Sequence, residues 1–259
     1  MNYTLPPLPF NLVLSFNYLQ NKYLQAKIIN VILLVVMIIK RKAESIKGDI
    51  MRRFLILVFL ILTFLCSCSE TEKTAEDWIS KARLLWDGKQ YTDPNKAIEY
   101  LDKAIKLQPD NADTYNQRGV AYKNIGQYQR AIEDYSEAIR LKSNNALPYY
   151  NRGAVYGNTG QYQRAIEDYT EAIRLEPKYF MAYNNRGANY SMLHQYKSAI
   201  EDYNKAILLQ PNFADAYNNR GLAYFMQGNN KRGCTDAHKA CKMGMCKALE
   251  LAKNKGLCR

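Results

Sequence analysis

Residues 112–145 read ADTYNQRGVAYKNIGQYQRAIEDYSEAIRLKSNN, and residues 146–179 read ALPYYNRGAVYGNTGQYQRAIEDYTEAIRLEPKY. Laid one over the other, they align without a gap at a period of 34 residues, and the period continues. Gly119, Gly153, Gly187 and Gly221 keep it, as do Tyr115, Tyr149, Tyr183 and Tyr217, and Ala138, Ala172, Ala206 and Ala240. Self-similarity at such a spacing marks a unit that buries its apolar face only against the next copy, so the chain is a stack of like elements.

Within each period the apolar spacing is helical. Tyr115, Gly119 and Tyr122 run i, i+4, i+7, and Ala131, Tyr135 and Ala138 do the same. Each period is therefore two helices. Gly126, Gly160 and Gly228 fall at the turn between them, with His194 in the remaining glycine place, where it reads as an exposed turn residue. Pro109, Pro177 and Pro211 follow the second helix, with Ser143 in the other proline place. The tyrosine columns at 115, 122, 128 and 135 absorb 14 of the 21 tyrosines, which reads tyrosine as mostly core. Arg118, Arg152, Arg186 and Arg220 each stand 16 residues before Asp134, Asp168, Asp202 and Asp236, a pairing that would fix the register of the two helices.

A 34-residue helix-turn-helix with an aromatic, a glycine, a tyrosine, two alanines and a closing proline resembles the tetratricopeptide repeat. The resemblance implies an all-α, right-handed superhelix of about five helix-turn-helix repeats. These lie at 75–111, 112–145, 146–179, 180–213 and 214–243, followed by a cysteine-containing capping helix within 244–259. The first copy keeps Trp78, Ala97, Ala104 and Pro109 with about three extra residues around Thr92 to Pro94, and the fifth is degenerate, with Gly233 in an alanine place. Bulk at Gly119 or Ala131 should separate helices that cross closely.

By the same resemblance, first-helix residues line a concave groove that holds an extended segment of another protein. They include Gln117, Asn151, Asn185 and Asn219, whose amides can both donate to and accept from any peptide unit. The alternative is that these amides bond only the neighbouring helix. Met181, Met192, Phe225 and Met226 would add adaptable apolar contacts.

The 259 residues are 47% hydrophobic and 23% charged, ordinary globular usage that disfavours a wholly disordered chain. Lys plus Arg exceed Asp plus Glu by 36 to 24, but residues 1–68 and 228–259 each carry a net +6, leaving the middle neutral. A neutral middle offers no basic stripe for nucleic acid. The basic tail could touch an anionic surface, against the plainer reading of a solvated end. With two histidines 44 residues apart, no glycine-rich phosphate loop and no recurring nucleophile and base, the expectation is a non-enzyme with no cofactor and no small-molecule substrate.

Ahead of the repeats lie two 12-residue apolar runs, 28–39 and 54–65, each too short to span a bilayer comfortably. The second follows Met51, Arg52 and Arg53 and precedes Leu65, Cys66, Ser67 and Cys68. Residues 51–68 thus resemble a bacterial lipoprotein signal peptide with Cys68 as the lipidated residue, despite Cys66 at the variable position. Residues 69–74 would be a linker. The resemblance implies a lipid anchor on the periplasmic face of the cell envelope, in the outer membrane of a Gram-negative source because Ser69 is not aspartate. Residues 1–50 then read as an upstream extension ahead of a start at Met51; the alternative is an inner-membrane anchor using 28–39 and the basic residues Lys40, Arg41 and Lys42.

Cys234, Cys241, Cys246 and Cys258 fall near the end, and four cysteines in an exported domain suggest two disulfides. Cys234 and Cys241 on one helix would stand about 10.5 Å apart, beyond the roughly 7 Å a bridge allows. Antiparallel helices favour the nested pairing, Cys241 with Cys246 and Cys234 with Cys258; the crossed pairing is the alternative. The rival chemistry is a zinc or redox module, in which Cys234, His238 and Cys241 share a helical face and Cys246 closes the site.

Overall fold

The computed structural model describes residues 73–258, and among these the chain is helical throughout apart from a single bridge between Trp86 and Tyr91. The helices are α1 (Ala75–Arg83), α2 (Pro94–Leu107), α3 (Ala112–Asn124), α4 (Tyr128–Leu141), α5 (Ala146–Asn158), α6 (Tyr162–Leu175), α7 (Phe180–Met192), α8 (Tyr196–Leu209), α9 (Ala214–Met226), α10 (Asn230–Lys242) and α11 (Lys247–Asn254). Both apolar runs and Cys68 lie outside the described residues, and no described helix is long and apolar enough to cross a membrane.

Two kinds of helix start occur. Thr74 caps α1 in a reciprocal box with Asp77, while Asp93, Asn111 and Asn145 cap α2, α3 and α5, their side-chain oxygens accepting from the N–H groups of Lys96, Thr114 and Leu147. The starts of α4, α6 and α8 have no side-chain cap. There the preceding helix sets the direction: Gly126 adopts φ 75°, its N–H reaches the Lys123 carbonyl at 3.0 Å, and the Gln127 N–H reaches the Tyr122 carbonyl at 2.9 Å. This left-handed closure recurs at Gly160 and Gly228, and at His194 with φ 60°.

Each helix packs on the next, and α3, α5, α7 and α9 also pack on one another in turn, whereas α4, α6 and α8 share no comparable contact. The stack therefore curves with the first helices of the pairs on its inner side. Ala131, Tyr135 and Ala138 of α4 are fully buried, as are Ala165 and Ala172 of α6 and Ala199 and Ala206 of α8, with Tyr169 and Tyr203 almost so. A Cβ on Gly119 would stand 2.7 Å from the Tyr135 ring, so glycine is what lets α3 and α4 meet.

The other tyrosine columns correct the reading of tyrosine as mostly core. Tyr115, Tyr122 and their equivalents are only half-buried, because the arginine column lies between them and needs their ring faces, as described below. In the first pair α1 has 9 residues where α3 has 13, and the three-residue excess lies in a long turn over 84–93. The fifth pair keeps both its helices at 13 residues. There Ala237 stands in the buried tyrosine place and Gly233 in the alanine place; the Phe225 ring fills the space, so close that a Cβ on Gly233 would meet it at 2.5 Å.

Candidate functional site

The inner face is built from consecutive first helices, and amide side chains tie them together. The Asn151 amide donates to Asn116 Oδ1 at 3.0 Å, the Asn185 amide to the Tyr150 hydroxyl at 3.1 Å, and the Asn219 amide to Asn184 Oδ1 at 3.1 Å, each bond spanning 35 residues of sequence. The last rung passes to the cap, where the Ala248 N–H donates to Asn218 Oδ1 at 3.0 Å. The asparagines expected to meet a peptide are thus already oriented by neighbouring helices. Asn185 Oδ1 and Asn219 Oδ1 accept from Asn184 and Asn218 at 3.3 Å; the Asn185 amide also bonds the Tyr169 phenol, while the Asn219 amide keeps one N–H outside the protein's own bonds. Gln117 Oε1 is buried without a partner.

Along the same face Met181, Met192 and Met226 are 39%, 57% and 62% exposed, leaving three flexible apolar side chains open to a ligand. Phe225, expected beside them as an adaptable contact, is instead half-buried against Gly233, because the fifth pair lacks the buried tyrosine that fills the second, third and fourth.

The arginine column is bonded on two sides. Arg152 Nε and Nη2 grip both oxygens of Asp168 at 2.9 and 2.8 Å, and its Nη1 reaches Ser136 Oγ of the preceding pair at 2.9 Å. Arg118, Arg186 and Arg220 hold Asp134, Asp202 and Asp236 in the same fork and extend to Asp102, Thr170 and Asn204. Tyr149 and Tyr156 flank the Arg152 guanidinium, each ring centre 5.9 Å away. Burial raises the Asp134, Asp168 and Asp202 carboxyls against the downward pull of their arginines, which are themselves held more firmly protonated. With two short bonds per pair, the ion pairs stay charged at neutral pH. This column joins successive pairs.

A cavity of about 300 Å³ opens between α5, α6 and α7, and Asn185 and Met192 reach its wall. Its other key members, Gly157 and Asn189, escape the repeat pattern. Gly157 shares its column with Lys123, Ser191 and Phe225, and Asn189 shares its column with Ala121, Val155 and Ala223. The first column differs in every copy, so the sequence marks only Asn189, a polar residue in a column of small apolar ones.

At the end of the stack Cys234 is bonded to Cys258 and Cys241 to Cys246, with Cα atoms 5.7 and 4.0 Å apart. With all four sulfurs paired there is no thiolate set for a metal, and His238 Nδ1 lies 2.8 Å from the Cys234 carbonyl.

Tetratricopeptide repeat family models match residues 78–111, 100–133 and 146–179, and a TPR repeat model matches 124–160 and 193–228. No curated protein matches the sequence. Among solved structures, a crystal structure of MamA is 32% identical with a TM-score of 0.56, covering 61% of this chain and 92% of that one. A second MamA crystal structure is 30% identical with a TM-score of 0.58, covering 70% and 92%. YrrB, described as a TPR protein with an unusual peptide-binding site, is 23% identical with a TM-score of 0.60 over 73% and 97%, a likeness of fold alone.

Proposed function

Because the chain belongs to the tetratricopeptide-repeat family, we propose that it is a non-enzymatic scaffold that holds an extended segment of a partner protein on the inner face of the stack. The observation that carries this reading is the ladder of amides on that face. Asn185 and Asn219 are fixed by neighbouring helices, Asn219 with one N–H to spare, and exposed methionines lie alongside. A pre-oriented donor pairs with a peptide carbonyl of any sequence and loses little freedom in doing so.

The scaffold is tethered to the cell envelope through lipid on Cys68, with translation starting at Met51. The order of basic residues, apolar run and Leu65, Ser67 and Cys68 supports this part of the reading. An outer-membrane position follows in a Gram-negative source, and an inner-membrane anchor is the competing placement.

Both halves are testable on the native protein. A photoreactive residue at Met181 or Met226 should trap protein adducts in intact cells, while the same residue at exposed Glu167 of α6 should not. Equal trapping at all three positions would defeat the groove reading. Mass spectrometry should find a mature chain that begins at acylated Cys68, and peptides from residues 1–50 on mature protein would defeat the anchor.

A further inference from the structure

A variable position of the repeat and a departure from it meet at one place. Gly157 of α5 stands where other pairs carry Lys123, Ser191 and Phe225, and the missing side chain leaves the cavity open. Asn189 of α7 stands where they carry Ala121, Val155 and Ala223, so a buried polar group replaces a small apolar one. The two face each other: a Cβ on Gly157 would lie 2.9 Å from Asn189 Oδ1.

The orientation of the Asn189 amide is fixed. Its nitrogen lies 2.7 Å from the Asn185 carbonyl, which can only accept, so Oδ1 must be the atom turned towards Gly157 and the cavity. Asn189 is 7% exposed, and its oxygen has no bond within the protein. Because it faces the open cavity, water reaches it in the free protein, and a donor from a bound segment would take that water's place.

The rest of the wall limits what can. No Lys, Arg, His, Asp or Glu lines the cavity; its members are tyrosines, asparagines, small residues and Met192. Burial drives the Tyr169 phenol well above its ordinary value, as expected where charge is poorly solvated. A carboxylate would meet the Asn189 oxygen with no cation to offset it, and an ammonium would lose water with no carboxylate to replace it.

We propose that this cavity is the specificity pocket of the groove, and that it takes an uncharged side chain with a hydrogen-bond donor at its tip, a glutamine, asparagine or tyrosine of the bound segment, donating to Asn189 Oδ1. The inference rests on the groove reading above and narrows it to one pocket and one chemical class.

The test is selection of peptides from a displayed library of random 12-residue sequences on the full chain in detergent micelles. Enriched peptides should share one position held by Gln, Asn or Tyr. Asn189→Ala restores the residue of two other pairs and should keep the melting temperature, yet weaken a selected peptide about three- to tenfold, the worth of one bond in a partly desolvated site. Gly157→Ser should fill the pocket and weaken it at least as much. Enrichment of Asp, Glu, Lys or Arg at that position, or selected peptides indifferent to both variants, would overturn the pocket and leave the groove standing. A collapse of the melting temperature in Asn189→Ala would mark the residue as a structural support and overturn the pocket too. No enrichment of any peptide would remove the groove reading itself.

Discussion

At the scale of single residues, a 34-residue pattern states what each position must do, and an exception costs energy unless something offsets it. His194 takes φ 60° where Gly126, Gly160 and Gly228 take 75° to 79°. A side chain in the left-handed region costs about 1–2 kcal/mol, and its one visible return is an exposed contact of 2.7 Å between Nδ1 and the Tyr196 hydroxyl. Glycine would relieve the strain but lose more freedom on folding, by about 0.5–1 kcal/mol. His194→Gly should therefore stabilise the protein by about 0.5–1 kcal/mol and raise its midpoint by about 1–4 °C. A thermal melt with the midpoint unchanged or lowered, alongside an unaffected His194→Ala, would contradict this.

At the scale of elements, the helix pairs were legible because each rests on residues that recur. A glycine in a turn, a proline after a helix and a small residue at a crossing state a local geometry on their own. The arginine and aspartate columns were legible for the same reason, being fixed by spacing. The second bond of each arginine was harder to see: Asp102, Ser136, Thr170 and Asn204 keep the 34-residue spacing and each offers a side-chain oxygen, but as four different residue types they form no column of identity. Nor could spacing say whether Asn151, Asn185 and Asn219 face a ligand or a neighbour, since an amide serves both. The cap is an element with its own energetics. The bridge from Cys234 to Cys258 has a sequence separation of 24, and closing a loop of that size restrains the unfolded chain by about 3.5 kcal/mol. The cap also supplies the Ala248 N–H that satisfies Asn218 Oδ1. Reduction should fray the last pair first, opening tryptic cuts after Lys242 and Lys247 while the cuts within α3 to α6 stay protected. Equal protection of oxidised and reduced protein would show that the bridges add nothing.

At the scale of the whole molecule, buried tyrosines bind the stability of the stack to pH. Burial raises Tyr91 and Tyr203 from about 10 to about 12, and it also raises Tyr135, Tyr169 and Tyr179. The sign follows from proton counts. Above about pH 10 the unfolded chain releases these protons while the folded chain keeps them, so the unfolded state binds fewer and stability falls as pH rises. Each such tyrosine removes about 1.4 kcal/mol per pH unit between about 10 and its folded value. Lys123 and Lys81, whose ammonium groups are pulled down, work in the opposite sense, but they are two groups against several. Five tyrosines together would remove about 14 kcal/mol by pH 12, most or all of a net stability of about 5–15 kcal/mol. Absorbance at 295 nm should therefore rise in two phases. The exposed phenols ionise gradually near pH 10, and the buried ones appear in one step that coincides with loss of helical circular dichroism between about pH 11 and 12. The stack transmits the step, because Tyr135, Tyr169 and Tyr203 are the fillers of three successive pairs and each pair is held only by its neighbours. A single smooth titration with helicity retained past pH 12 would mean that the phenols reach solvent without unfolding.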